Sequence, residues 1–446
     1  MVSTRHGCSP TPGTARDWLR DTSPPKQHPR TADATPQLAR HLWELVLAKY
    51  EPFYMLAAHD RIPFPVWDEG PEASVLRGIT MCGIAVTTGN VLPPPSRHRA
   101  LERLRHRGPD ACGDWQDGGT PVWLGHRRLA IVDLSAKGNQ PLANEDGRIQ
   151  VVCNGEIYNY ASLRSRLEGL GHSFTSDSDS EVLVHAYEAW GDDCVDQLEG
   201  MFAFALWDAR KQRLLAARDR VGMKPLYYHV SPQGQLALAS EAGSLAALLP
   251  AWPSPDPEAI AYVMTLGYVP SPWSIWQGCR KLEPGHLLTW QAGDTVRLRR
   301  YWAPPTEIVP EASAAPDEQE EWTQLLSQVM REHLLADVPI GLFLSGGIDS
   351  TTVAVAMREF GYPTTALTVT FPSQPDRCEG DVARQVAGHL SLEHICIPLE
   401  ITDVHSLLDS SMHQCDEPAG YSAWLSMYLL CQVASRHFKV IMAGDG

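Results

Sequence analysis

The chain has 446 residues, enough for two or three domains with separate cores, and its 43% hydrophobic and 20% charged residues are ordinary for a globular protein. A formal charge of −16 argues against a nucleic-acid partner, and the longest apolar runs, such as MFAFALW (201–207), are far too short to span a bilayer. The N-terminus MVSTRHGCSP lacks the apolar core of a secretory signal. Ten cysteines are scattered without CxxC pairs, HExxH or a close Cys/His grouping, which argues against a zinc site and a disulfide scaffold and fits a cytoplasmic protein.

Residues 1–81 read as an extension outside the catalytic unit, either a docking module or a segment with no part in catalysis. TSPPKQHPRTADATPQ (22–37) has the polar, Pro-containing composition of disorder, and QLARHLWELVLAKY (37–50) predicts a short helix. From Met81 the rhythm changes. β-Rich runs at 121–134, 149–159 and 202–208 alternate with one clear helix, SLRSRLEGLG (162–171), and NG and DG turns punctuate them. This is an α+β pattern suited to stacked sheets flanked by helices. Residues 82–250 are expected to form this domain, with a connecting hairpin and linker over 251–316, where APPTEIVPEASAAPDE (303–318) is linker-like.

Over 317–446 strands and helices alternate, predicting an α/β doubly wound parallel sheet. A helix over 317–336 places Trp322, Leu325, Val329 and His333 on one stripe. Strand 340–344, helix 350–361, strand 365–371, helix 380–390, strand 394–399, a helix around 421–436 and strand 439–444 follow.

Two stretches carry chemistry. Cys82-Gly83 follows Met81 directly, so a start at Met81 would leave Cys82 as residue one once Met is removed; RHRGPD (105–110) and NGEIYN (154–159) supply amide-rich loops. A cysteine before a glycine is by itself weak, because buried cysteine usually serves as a small hydrophobe. Further on, LSGGIDS (344–350) sits between an apolar strand and a helix start, where glycines let backbone N–H groups face an anion. It is not a Walker A loop.

Together with GHRRLAIVDL (125–134), SDSDSEV (176–182), LEGMFAFALWD (198–208) and RDRVGMKPLYY (218–228), these segments resemble the asparagine synthetase B family. That resemblance implies an αββα N-terminal-nucleophile (Ntn-hydrolase) glutamine amidotransferase domain, then an ATP-pyrophosphatase domain. It casts Cys82 as the nucleophile, with its own α-amino group as base, and so requires Cys82 to be the mature N-terminus. Asn154 and Gly155 would form the oxyanion hole. Arg128 would clamp the glutamine α-carboxylate, Glu156 and Asp179 would receive its ammonium, and Leu129, Ala130, Ile131 and Val132 would complete the glutamine site. Arg127 receives no role.

In the second domain the resemblance assigns Leu344, Ser345, Gly346, Gly347, Asp349, Ser350, Val369, Ala443 and Gly444 to ATP. Asp349 would hold Mg2+, Asp445 would assist adenylate formation, and DEP (416–418) would lie near the acceptor. Core packing explains Leu344 and Val369 equally well. After GDG (444–446) the family pattern continues beyond this chain, so the second domain is expected to be incomplete at its C-terminus. The implied activity is ATP-dependent asparagine synthesis from aspartate and glutamine, through a γ-glutamyl thioester, channelled ammonia and β-aspartyl-AMP, with a homodimer as a further expectation. Amidation of another carboxylate, glutaminase activity alone and a non-catalytic protein are the alternatives.

Overall fold

The structure is a computed structural model, and it describes residues 81–89, 94–292, 294–306, 318–372, 379–399, 407–408, 411, 415–420 and 423–444. Residues 1–80 with their expected helix, most of the linker (307–317) and Asp445 lie outside the described residues.

Two antiparallel sheets of six strands, numbered in chain order, stack face to face. The first contains β1 (Gly83–Thr88), β2 (Ala111–Gln116), β3 (Val122–Arg128), β8 (Tyr227–Val230), β9 (Leu236–Ala239) and β10 (Cys279–Lys281), in the order β10-β8-β9-β1-β3-β2. The second contains β4 (Leu142–Ala143), β5 (Ile149–Ile157), β6 (Gly200–Asp208), β7 (Arg213–Arg218), β11 (His286–Gln291) and β12 (Arg297–Arg300), in the order β12-β11-β7-β6-β5-β4. Ile84, Val86, Val122 and Leu124 from one sheet meet Val152, Ala203, Ala205 and Trp207 from the other. Helices cover the outer faces: α1 (Pro94–Arg103) and α4 (Ala242–Ala247) on the first sheet, α2 (Tyr160–Gly169) and α3 (Val182–Trp190) on the second. Because both faces of the central strands are covered, β1 is buried at every position and shows no alternation of apolar and polar residues. This is the expected αββα architecture, but it does not end at 250: β10, β11 and β12, expected as a connecting hairpin, are strands of the two sheets and extend the domain to Arg300.

The structure adds helices to the one expected among residues 81–250. α3 escapes periodic reading because VLVHAYEAW is buried from Val182 through Tyr187 and so has no polar stripe to set a period. The run 121–134 is strand only to Arg128; beyond it a loop turns through Asp133 at φ 55°.

A connecting helix, α5 (Pro257–Leu266), starts at an Asp256 cap and ends at left-handed Gly267. The second sheet system is parallel: β13 (Ile340–Phe343), β14 (Thr365–Thr370), β15 (Glu393–Pro398) and β16 (Val440–Met442), in the order β15-β14-β13-β16. On one face lie α6 (Glu318–His333), α7 (Ile348–Glu359) and α8 (Gly380–Leu390); α9 (Ala423–Ala434) packs on the other. The sheet is therefore doubly wound, and the order reverses between β13 and β16, where such folds open a crevice. On α6 the expected stripe faces outward, with Trp322 59%, Leu325 60% and Val329 38% exposed, while Met330, with Leu326, enters the core. Among the described residues no helix is long and apolar enough to cross a membrane.

Candidate active site

Cys82 stands just before β1. Its backbone is fixed by residues from two distant motifs: Arg107 Nε donates to Cys82 O at 3.0 Å, and Arg107 and His106 both reach Glu241 Oε1, at 3.0 and 2.9 Å. RHRGPD therefore serves here as a brace. The Leu129 N–H donates to Cys82 Sγ at 3.3 Å. Burial of the sulfur pushes the thiol up to about 11, with the Leu129 N–H, Lys224 and Arg128 pulling the other way and Asp179 adding to the rise. A thiol in that state is protonated at neutral pH and needs a base to act.

A cavity of about 280 Å³ opens on this sulfur. Of the expected glutamine-site residues, Arg128, Leu129, Ile131, Val132, Asn154, Gly155, Glu156 and Asp179 line it with Cys82. Ala130 does not; its N–H donates to Asp110 Oδ2 at 2.9 Å. Asn154 is fully buried, and both its amide N and O lack a partner among the described residues, so its polar atoms are held ready for a ligand. Gly155 sits at φ 153°, where an added Cβ would stand 2.1 Å from Met201 O; only glycine brings this backbone so close to β6. Arg128 is engaged more heavily than a free clamp. Its Nη1 donates to Ser135 O and Asn139 Oδ1, both at 2.8 Å, and its Nη2 to Val132 O at 3.2 Å and to Asp133 O. It thereby laces the loop that forms one wall, while Arg127 pairs with Glu102 and the Leu101 carbonyl.

Two acids face the cavity. Desolvation raises Asp179 to about 6 despite the Ile157 N–H donating to it at 2.8 Å. Glu156 is held above the ordinary carboxyl range by desolvation and by the Asp179 charge. Lys224 lines the same cavity; desolvation lowers its ammonium, and Nζ contacts Met81 Sδ at 3.2 Å. RDRVGMKPLYY carries part of the family resemblance, but nothing in its sequence marks Lys224 as a cavity residue; only the fold buries it there.

A second cavity of about 350 Å³ lies at the β13/β16 crevice, lined by Leu344, Ser345, Gly347, Asp349, Ser350, Val369, Ala443 and Gly444 among the expected nucleotide residues. Gly346 is not in the lining; at φ 85° it packs against Val382 and Ala383. α7 opens at Gly347 without a side-chain cap, leaving its first N–H groups free to meet an anion. Gly444 passes so close that a Cβ would meet Ser350 N at 2.4 Å. This uncapped, glycine-lined cradle fits a polyphosphate, with Asp349 and Glu379 the acidic residues of its lining. Asp416 and Glu417 line neither cavity. Asp416 accepts the Ala242 and Gly243 N–H groups at 2.6 and 2.9 Å, and Glu417 pairs with Lys281 at 2.5 Å. Phe343, Met427 and Ala443 are common to the walls of both cavities.

Comparison with known proteins agrees with this two-centre layout. A family model described as glutamine amidotransferase domain matches residues 81–302, and one described as asparagine synthase matches residues 321–446. Asparagine synthetase [glutamine-hydrolyzing] 1 of Bacillus subtilis is 34% identical over 77% of this chain and 53% of its own length. Amidase chry2 of Gibberella zeae is 31% identical over 78% of this chain and 53% of its own. A Methanocaldococcus jannaschii protein provisionally given the glutamine-hydrolyzing asparagine synthetase name is 30% identical over 82% of this chain and 74% of its own. The chain spans about half the length of the first two of these relatives. It belongs to the family of glutamine-hydrolysing asparagine synthetases.

Proposed function

We propose that the chain carries the glutamine-dependent, ATP-dependent amidation of aspartate to asparagine, in the cytoplasm. Cys82 thiolate attacks the side-chain amide carbon of glutamine. Ammonia leaves with a proton, and the γ-glutamyl thioester is hydrolysed by water to glutamate. Asn154 Nδ2–H and the Gly155 N–H stabilise the oxyanion. The base is the α-amino group of Cys82, whose ordinary pKa of about 7.7–8.0 leaves a neutral fraction at pH 7; this requires cleavage of the Met81–Cys82 bond. At the second centre the aspartate β-carboxylate attacks the α-phosphorus of ATP, expelling pyrophosphate. Ammonia then displaces AMP from the acyl-adenylate. The SGG loop and the α7 N-terminus hold the phosphates. Asp349 would hold Mg2+, which supplies positive charge against them.

The observation that carries this reading is the shared wall: Phe343, Met427 and Ala443 border both cavities, which supports a short passage for ammonia from one to the other. The test measures glutamate release and pyrophosphate release with aspartate plus either glutamine or ammonia, on protein beginning at Cys82 and on the full chain. Asparagine from both nitrogen sources is expected in the former, with glutamine use absent in the latter. Cys82→Ala should abolish glutamine use and spare ammonia-dependent synthesis; loss of both would sink the two-centre scheme.

One observation favours a second reading, amidation of a different carboxylate. Among the described residues lining the second cavity there is no lysine or arginine to receive the aspartate α-carboxylate, and Asp416 and Glu417 are engaged elsewhere. Pyrophosphate release stimulated by other carboxylates but not by aspartate would select it.

A further inference from the structure

Outside both cavities, four ligand-type side chains from three separate segments converge behind the second antiparallel sheet. Glu145 comes from the β4–β5 turn, His172 from the chain leaving α2, and His185 and Glu188 from successive turns of α3. One ligand atom from each lies within 4.8 Å of all the others. The pairwise separations suit no hydrogen bond: His172 Nδ1 is 3.5 Å from Glu145 Oε1 and 3.7 Å from Glu188 Oε2, and His185 Nδ1 is 3.5 Å from Glu145 Oε2 and 3.9 Å from Glu188 Oε2. His185 is fully buried, yet both its ring nitrogens, and Glu188 Oε2 beside it, find no hydrogen-bond partner among the described residues. Leaving such groups unmade is costly, and native proteins rarely do so without a ligand or ion.

The spacing points to what fills the gap. A tetrahedral cation bound at about 2.0–2.1 Å needs ligand atoms roughly 3.3–3.4 Å apart; the four His–Glu separations of 3.5–3.9 Å come near this, and the wider pairs, within 4.8 Å, draw in on binding. We propose that Glu145, His172, His185 and Glu188 form a structural site for Zn2+. Two carboxylates balance the dication, and two imidazoles select a borderline transition ion over Mg2+ or Ca2+. The supports behind the ligands are also present. Glu188 Oε1 is held by Asn144 Nδ2 at 2.9 Å and Arg210 Nη1 at 3.2 Å, which turns Oε2 toward the histidines. Glu145 Oε1 accepts the Ser173 N–H at 2.8 Å. On the far side of His185, Glu181 Oε1 stands 3.8 Å from Nε2, placed to orient the imidazole. Glu145, the most exposed of the four, provides the entry path. The ion would staple the β4–β5 turn and the α2 exit to α3, whose preceding turn carries Asp179 into the Cys82 cavity.

The test titrates chelator-stripped full chain with Co2+ as the spectroscopic probe. One equivalent should develop the visible bands of tetrahedral Co2+ without a thiolate charge-transfer band, and Zn2+ but not excess Mg2+ should displace it. Glu188→Gln keeps the acceptor for Asn144 and removes the ligand atom, so it should lower Co2+ and Zn2+ affinity by about tenfold or more; His172→Gln, at a less buried position, is the second variant should the first not fold. Reduced affinity in either folded variant supports the site. Absence of stoichiometric binding, a thiolate band, or unchanged affinity in both variants overturns it.

Discussion

Asn154 is stabilising to nothing it touches: a fully buried amide with neither polar atom bonded costs about 1–3 kcal/mol. Asn154→Ala should therefore leave the urea midpoint unchanged or raise it, while glutamine hydrolysis falls by about 10²–10³-fold, as loss of one oxyanion donor does. A parallel fall in both would mark the residue as structural instead. The two acids of the cavity make a pH statement. Asp179 is raised from 3.8 to about 6, so between those values the folded state keeps a proton that the unfolded chain has lost. Stability from this group is thus full below about pH 4 and declines as pH rises toward 6; Glu156, raised in the same sense, extends the decline upward. Glu156→Gln should flatten the upper part of that decline in urea midpoints measured from pH 4 to 8. On the proposed reading the same ionisation readies the two acids for the glutamine ammonium, so KM for glutamine should rise as pH falls through this window.

At the scale of elements, the Cys82 cavity depends on β5 lying against β6 with Gly155 opposite Phe202. Gly155→Ala adds a methyl where Met201 O already stands, at a φ that side chains avoid, and should lower stability by about 1–3 kcal/mol or more in denaturant unfolding. Elements also decide what was legible in the sequence. Strand and helix alternation over 317–446 could be read because α6, α7 and α8 each carry exposed polar residues beside buried ones, and NGEIYN could be read because Asn154, Gly155 and Glu156 are consecutive on one strand. α3 could not, because His185 is buried along with its apolar neighbours from Val182 through Tyr187 and no exposed polar stripe marks a helical period. Nor could the Glu145, His172, His185 and Glu188 cluster, since no local spacing joins three segments that only folding brings together. Lys224 and Met427 reach the cavities through tertiary packing alone, and the α6 stripe misled because its apolar residues at 322, 325 and 329 face outward while Met330 supplies the core contact.

For the whole molecule the question is how one centre informs the other. Met427→Trp would fill the wall common to both cavities. Glutamate should then accumulate in excess of amide product, with ammonia-dependent synthesis retained; coupled stoichiometry in the variant would place the ammonia route elsewhere. The bodies on either side are joined closely. Asp133 N–H donates to Asp337 Oδ2 at 2.8 Å, Asp337 N–H donates back to Ile131 O at 2.9 Å, and Lys439 meets Asp110 at 2.7 Å. The loop that Arg128 laces into the wall of the Cys82 cavity is thus the same loop that grips the segment between α6 and β13. A junction of this kind obeys thermodynamic reciprocity: whatever factor nucleotide adds to glutamine affinity through it, glutamine must return to nucleotide affinity in full. An isotherm for either ligand, taken with and without the other, reads that single coupling constant from both ends.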